Sequence, residues 1–379
     1  MLVIVGTGHA GYTLAREFRK LDKATPLTLI TRDDGASYYK PDLSKAFASG
    51  KDADGLVKAS AAQMEAELQA RVLAFTGVTA LEPGAHRVHL GEQTLDYRQL
   101  VLATGATPIR LPVAGNAADR IHSVNNRLDY ARFRDGLAPG QHVLIVGAGL
   151  IGCEWANDMG AHGFRVSVVD IAPWPLPRLL PEPCGRALQA ALAGLGVDWR
   201  LKNSLKALDA DGGAMAATLA DGTRLAVDRV LSAVGLRADL SLASAAALAC
   251  RQGIVVDARL KTSADDVYAL GDCIEIGGRL LPFILPIAHA ARALAPTLAG
   301  TPTPVQFPAM PVLVKTPVCP VVVCPPAVTE GAWQVSGKAP DLEGVFNDTA
   351  GRPQGFALTG AATARRGALT ATMPPVTPR

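Results

Sequence analysis

Two hexapeptides carry the plainest chemistry in this chain: Gly6-Thr7-Gly8-His9-Ala10-Gly11 and Gly147-Ala148-Gly149-Leu150-Ile151-Gly152. Both read G-x-G-x-x-G, and each follows an apolar run, Leu2 to Val5 in one and His142 to Val146 in the other. In that setting the first glycine permits a tight turn and the second lets a pyrophosphate approach the backbone. The third lets helix and strand pack closely. The helix that follows presents free N–H groups and its positive end to the phosphates. A carboxylate is expected about 20 residues further on, at the end of the next strand, where it accepts hydrogen bonds from a ribose. Asp170, 18 residues after Gly152, meets that expectation. It would repel a 2′-phosphate, which favours NADH over NADPH. In the first copy the strand ends at Thr31-Arg32, and Asp33 and Asp34 come late. The ribose contact is therefore open there, with Thr31 and Arg32 as alternative contacts to the adenosine end.

The elements that must position these residues also recur. One phrase runs from the strand at Leu2, through a helix with Leu14, Phe18 and Leu21 at helical spacing, to a strand at Leu27 to Thr31. The other runs from His142, through a helix reaching about His162, to a strand at Arg165 to Asp170. Two copies about 140 residues apart predict an α/β chain with two Rossmann-like dinucleotide-binding domains. Pro- and Gly-bearing passages, Thr107 to Gly115 and Gly235 to Asp239, bracket the second copy. They divide the chain into a discontinuous first domain, residues 1–108 and 238–308, with a second domain, 109–237, inserted into it. A small β-rich C-terminal domain, 309–379, follows a Pro- and Val-rich stretch from Pro302 to Pro326. Thr372 to Arg379 carry three Pro and read as a loose tail.

Composition narrows the field. The chain has 379 residues, of which 49% are apolar and only 19% charged, so it can bury a large core and is not disordered. No apolar run reaches the roughly 18 residues of a membrane span. Leu2 to Val5 lacks a basic flank and reads as a strand, not a signal peptide. Lys plus Arg number 37 and Asp plus Glu 34, too near balance to predict nucleic-acid binding. Six cysteines are too few for a disulfide scaffold, and a reducing cytoplasm is the default location. The chain has no H-E-x-x-H, paired C-x-x-C, Walker lysine or G-x-S-x-G motif, so no metal site and no serine nucleophile is expected. No coiled-coil seam appears, and a monomer is preferred.

Val101-Leu102-Ala103-Thr104-Gly105-Ala106-Thr107-Pro108 and Ser232-Ala233-Val234-Gly235 resemble the hinge motifs of FAD-dependent pyridine nucleotide oxidoreductases. Tyr268-Ala269-Leu270-Gly271-Asp272-Cys273 resembles that family's second flavin motif. With the glycine loops, five motifs span about residues 1–300 in the family's order. The resemblance implies FAD on the first loop, held by Gly6, Thr7, Gly8, His9, Ala10, Gly11, Thr31, Arg32, Thr104, Gly105 and Asp272. It implies NADH on the second, held by Gly147, Gly149, Leu150, Ile151, Gly152, Asp170 and Gly235. Two further runs, Tyr39-Lys40-Pro41-Asp42-Leu43-Ser44-Lys45 and Val314-Lys315-Thr316-Pro317, resemble the rubredoxin reductases and the related flavorubredoxin reductases. They assign Lys40 and Lys315 to the flavin. In related reductases the residues at the positions of Lys45 and Glu154 pair close to flavin N5, so these two are the expected catalytic pair. A buried charge there needs its partner.

The cysteines choose a branch. Tyr38 to Gly50 contains none, which excludes the C-x4-C relay of glutathione-reductase-like enzymes, and the C-x-x-C of thioredoxin-reductase-like enzymes is missing too. Cys319 and Cys324 have C-x4-C spacing but flank a strand-like run, where they face opposite sides. Electrons must then leave the flavin directly, one at a time, for an outside acceptor. The resemblance implies rubredoxin. Flavorubredoxin or an oxygenase ferredoxin are alternative acceptors, and an NADH-sensing binding module is the alternative from another class. Residues 276–329 contain no Asp or Glu but do contain Arg279, Arg292 and Lys315, a basic rim suited to an acidic partner, to which Arg365 and Arg366 could add.

Overall fold

The computed structural model describes residues 1–376. Leu2–Val5 and Leu27–Ile30 are strands in which every residue is buried. Continuous apolar runs of this kind suit parallel strands covered on both faces. They lie in a parallel sheet ordered Val267–Ala269, Gln99–Leu102, Leu2–Val5, Leu27–Ile30, Arg71–Leu73. A second parallel sheet repeats the plan: Ile121–His122, Arg229–Ser232, His142–Val146, Arg165–Asp170, Val197–Leu201. In both, the strand feeding the glycine loop is central and the strand after the helix is its neighbour. The glycine-loop helices are His9–Leu21 and Leu150–Ala161.

The first core is built from chain on both sides of the second sheet. Leu14 and Phe18 of the helix His9–Leu21 share it with Ile287 and Leu294 of the helix Ile284–Leu298. The chain leaves and returns side by side. Ala106–Pro108 pairs antiparallel with Leu236–Ala238, and the Ile109 N–H donates to the Gly235 carbonyl at 3.1 Å.

A five-stranded antiparallel sheet closes the chain, ordered Val312–Val314, Val321–Cys324, Pro353–Thr359, Asp341–Asn347, Ala332–Lys338. Its strand Val321–Cys324 alternates. Val321 and Val323 enter a core shared with the second parallel unit, whereas Val322 and Cys324 enter a small core with Phe356 and Leu358. Cys319 lies in the former and Cys324 in the latter, and all six cysteines are free. The expected loose tail is corrected in part. Met373 is 8% exposed in the small core, and Val376 packs against the first core. Two apolar side chains in the Pro-rich run find apolar surface to cover. Residues 377–379, the rest of that expected tail, lie outside the described residues. Among the described residues no helix is long and apolar enough to cross a membrane.

Candidate active site and its two dinucleotide seats

The two glycine loops are built alike to the ångström. A Cβ on Gly11 would lie 1.9 Å from the Gly6 carbonyl oxygen, and one on Gly152 would lie 1.9 Å from that of Gly147. Gly6 and Gly147 have φ of +116° and +111°, and a Cβ on them would strike the carbonyls of Ala103 and Ala233. These four glycines are required by close packing. The middle glycines differ: a Cβ on Gly8 or Gly149 would meet nothing within 4 Å. The backbone there is approachable from outside, as a pyrophosphate requires.

The helix ends fit the same use. Two other helices, Ala61–Leu68 and Arg127–Arg134, start with complete capping boxes at Ser60 and Asn126. The glycine-loop helices start at Gly8 and Gly149 with no side-chain cap and no acidic residue in the first turn. Their first N–H groups and positive ends are left to an anion.

The carboxylates after the strands tie the loops down. Asp170 accepts the N–H of Ala148 at 2.5 Å and that of Ala172 at 2.7 Å, one on each oxygen. A second lone pair on each remains for ribose hydroxyls. In the first unit the late residue reaches the loop after all. Asp33 accepts from the hydroxyls of Thr31 at 2.7 Å and Thr7 at 3.5 Å, and from the Gly35 N–H at 3.1 Å. The chain curls back after Thr31, a turn that counting along the sequence does not reveal. Arg32 is exposed and pairs with Asp239 at 3.0 Å.

Further chain converges on the first loop. A Cβ on Gly271 would lie 2.9 Å from that of Ala10, so the Gly271-Asp272 turn sits against the helix start. His9 meets Tyr39 edge-on, with ring centroids 5.7 Å apart. Lys40 Nζ donates to Asn125 Oδ1 at 2.7 Å, and Asn125 Nδ2 to the Ala106 carbonyl at 2.8 Å. Burial lowers the Lys40 ammonium below its ordinary pKa, with Asp272 opposing the shift. Burial raises the Asp272 carboxyl, with Lys40 opposing. The two expected flavin residues are thus brought together. Thr104 Oγ1 donates to the Asp239 carbonyl at 3.1 Å, and the Asp239 N–H to the Gly105 carbonyl at 3.1 Å, which joins the two hinge passages.

Where the two units and the C-terminal sheet meet, Glu154 is 4% exposed. The expected Lys45–Glu154 pair is not formed. Lys40–Lys45 is a 3-10 helix, whose three-residue turn stacks residues i and i+3. Lys45, 49% exposed, lies over Asp42 at 3.1 Å on the outer side, and Ser44 faces inward. Lys315 takes the place of Lys45. Its Nζ lies 2.7 Å from Glu154 Oε2 and donates to the Pro41 carbonyl at 2.5 Å and to Ser44 Oγ at 2.9 Å. Ser44 Oγ donates to Glu154 Oε2 at 2.5 Å, and the Lys315 N–H to Glu154 Oε1 at 3.0 Å. One carboxylate therefore joins three parts of the chain. The signal for Lys315 was legible, since it is the lone charge in an apolar run; Ser44 and Asn125 carried none.

Comparison with known proteins decides the relationship. Residues 1–295 match the family described as pyridine nucleotide-disulphide oxidoreductase. The chain belongs to the pyridine nucleotide-disulphide oxidoreductase family. Residues 304–373 match a rubredoxin binding C-terminal domain. The chain is 44% identical to rubredoxin-NAD(+) reductase of Alcanivorax borkumensis, covering all of this chain and 99% of that one. It is 38% identical to nitric oxide reductase FlRd-NAD(+) reductase of Aeromonas hydrophila, over 95% and 92% of the two chains. Among solved structures, the covalent putidaredoxin reductase–putidaredoxin complex superposes with a TM-score of 0.88 at 26% identity, over 98% and 93%.

This member of the pyridine nucleotide-disulphide oxidoreductase family has no disulfide to use. Five of its six thiols are buried, all but Cys250, and burial pushes the Cys273 thiol up to about 11 and the Cys153 thiol higher still.

Proposed function

We propose that the chain is an NADH-dependent FAD flavoprotein that passes single electrons to rubredoxin. The observation that carries this reading is the pairing of two open glycine loops with six free cysteines. Two dinucleotides have seats, and no thiol pair is available to relay electrons. Bound FAD supplies the conversion of an electron pair from NADH into single electrons. The domains follow as 1–108 with 238–308 for FAD, 109–237 for NADH and 309–379 for the acceptor side.

This chain's own residues orient and exclude. Gly8 and the uncapped start of the helix His9–Leu21 hold the FAD pyrophosphate, with Lys40, Asp272, Thr104 and Gly105 around the rest. Gly149 and the start of the helix Leu150–Ala161 hold the NADH pyrophosphate, and Asp170 takes the ribose hydroxyls. Glu154 and Lys315 stand where nicotinamide and flavin meet, neutralising one another with the carboxylate buried and the ammonium half-buried. No side chain has to accept or donate a proton for hydride transfer.

The acceptor side is the carboxylate-free stretch 276–329. It exposes Arg292, Leu313 and Val318. Lys315 is turned inward to Glu154, and Arg365 is occupied by Glu343 at 2.6 Å, so neither adds to the basic rim. Six free cysteines, five of them buried, fit a reducing compartment, the cytoplasm. The Aeromonas relative supports flavorubredoxin as a second acceptor.

The test is anaerobic turnover with NADH and with NADPH, offering rubredoxin, a flavorubredoxin and a plant-type ferredoxin. Catalytic reduction of rubredoxin, with NADH preferred, is the expected result. Turnover with ferredoxin alone moves the partner to an oxygenase system. A reduced flavin that persists for minutes with every acceptor supports a sensing module instead.

A further inference from the structure

The helix Leu150–Ala161 carries three polar side chains on one buried face. Glu154, Asn157 and Asp158 stand at i, i+3 and i+4, and are 4%, 5% and 3% exposed. Each accepts backbone N–H groups from outside its own unit. Glu154 accepts that of Lys315 at 3.0 Å, and Asn157 Oδ1 that of Val318 at 3.2 Å. Asp158 divides its carboxylate between Phe47 at 3.0 Å and Ala48 at 2.9 Å. One helix face thereby grips two loops, each at two points. Glu154 and Asn157 hold the loop from Lys315 to Val318. Glu154, through the Ser44 hydroxyl, and Asp158 hold the segment from Ser44 to Ala48.

Those two loops supply the partners that close on Glu154. Lys315 Nζ and Ser44 Oγ both reach the same oxygen, at 2.7 and 2.5 Å. A shift of about an ångström in either loop would open that cluster. We infer that Asn157 and Asp158 are positioning residues for NADH oxidation: they set the register of both loops on the helix and so hold the Lys315–Glu154–Ser44 cluster closed. The inference rests on the reading that this cluster stands where nicotinamide meets flavin.

The residue types support it. The two consecutive N–H groups bond one to each carboxylate oxygen, an arrangement that an amide, with its single acceptor oxygen, cannot copy. Burial raises the Asp158 carboxyl above its ordinary pKa, with the two N–H groups, His162 and Arg134 opposing. A group burdened in that way does more than fill space.

The test uses the flavin-loaded protein and anaerobic stopped-flow reduction by NADH. Asn157→Ala and Asp158→Ala are each expected to lower the limiting reduction rate about tenfold, with the NADH dissociation constant unchanged within about twofold. Asp158→Asn, which keeps one acceptor and the same size, is expected to lose only about threefold. It stays measurable if the alanine variants do not accumulate. In a Glu154→Gln background, the loss from Asn157→Ala is expected to shrink to less than about twofold, because the cluster it positions is already altered. Unchanged limiting rates with a lowered melting temperature, or full additivity in the cycle, would overturn the inference. If Glu154→Gln alone leaves the limiting rate unchanged, the reading of the cluster fails, and the inference falls with it.

Discussion

The two glycine loops share their turn, their steric requirements and their uncapped helices, yet different parts of the chain pack beside them. The Gly271-Asp272 turn packs on the first at Ala10 and Tyr39 packs on its His9, while Gly8 between them stays exposed. The second shows solvent its Ile151, 45% exposed, and beyond its strand end Ile171, 80% exposed. One loop design therefore serves two purposes. On the proposed assignment, the extra chain beside the first loop suits a resident cofactor, and the bare rim of the second suits a dinucleotide that must arrive and leave in every cycle.

The largest effects are expected where a Cβ has no room. Gly11→Ala should give protein that purifies without flavin. Gly152→Ala should keep its flavin but lose at least about a hundredfold in the rate of NADH-driven bleaching. The flavin spectrum before and after NADH separates the two. A Gly152→Ala protein without flavin would break the division of labour.

Next in size is Glu154→Gln. Half-buried Lys315 loses its charge partner but keeps Ser44 and Pro41 as acceptors. A stability loss of about 1–3 kcal/mol in urea is expected, with a ten- to hundredfold fall, roughly, in the limiting rate of reduction. Lys45→Gln should change little, since Lys45 is exposed and reaches only half-buried Asp42. A larger effect at Lys45 than at Lys315 would restore the pair expected from the sequence.

Asp170→Asn should raise the KM for NADH about tenfold and bring NADPH closer to it, the worth of one hydrogen bond to a charged group. Asp33→Asn in the first loop should weaken FAD retention and leave the preference for NADH unchanged.

The smallest effect concerns Cys273, next to the turn that packs on Ala10 of the first loop. Its folded pKa of about 11 stands above the ordinary value of 9.0. Between those values the unfolded chain sheds the thiol proton and the folded chain keeps it. This contribution to stability is therefore intact below pH 9 and is lost as pH rises through 11, on the order of 3 kcal/mol in all. Melting temperature should fall less steeply with alkaline pH in Cys273→Ala than in the wild type.

The same contrast shows what a sequence can reveal. Both loops, their strands and helices, and Asp170 were legible, because each depends on neighbours within about 25 residues and a short repeat. That the C-terminal part is β-rich was legible from its Val- and Pro-rich start, though its antiparallel strand order was not. The partner of Glu154 was not, because it depends on the phase of a six-residue 3-10 helix and on a loop 161 residues away. Asp33 was passed over because its approach to Thr7 needs a turn that no spacing rule contains. Asn157 and Asp158 could have been noticed: two polar residues beside Trp155 and Met159 in an otherwise buried helix require partners.

The most direct test of the division between a resident and an exchanging dinucleotide is one anaerobic titration. Oxidised wild type, Gly8→Ala and Gly149→Ala would each be titrated with NADH without any acceptor, after their FAD content is measured. Gly149→Ala is expected to hold as much FAD as the wild type but to need about tenfold more NADH for half-bleaching. Gly8→Ala is expected to lose FAD, while its remaining flavin bleaches at the wild-type NADH concentration. Loss of FAD from Gly149→Ala, or a shifted NADH titration in Gly8→Ala, would contradict the assignment of the two loops.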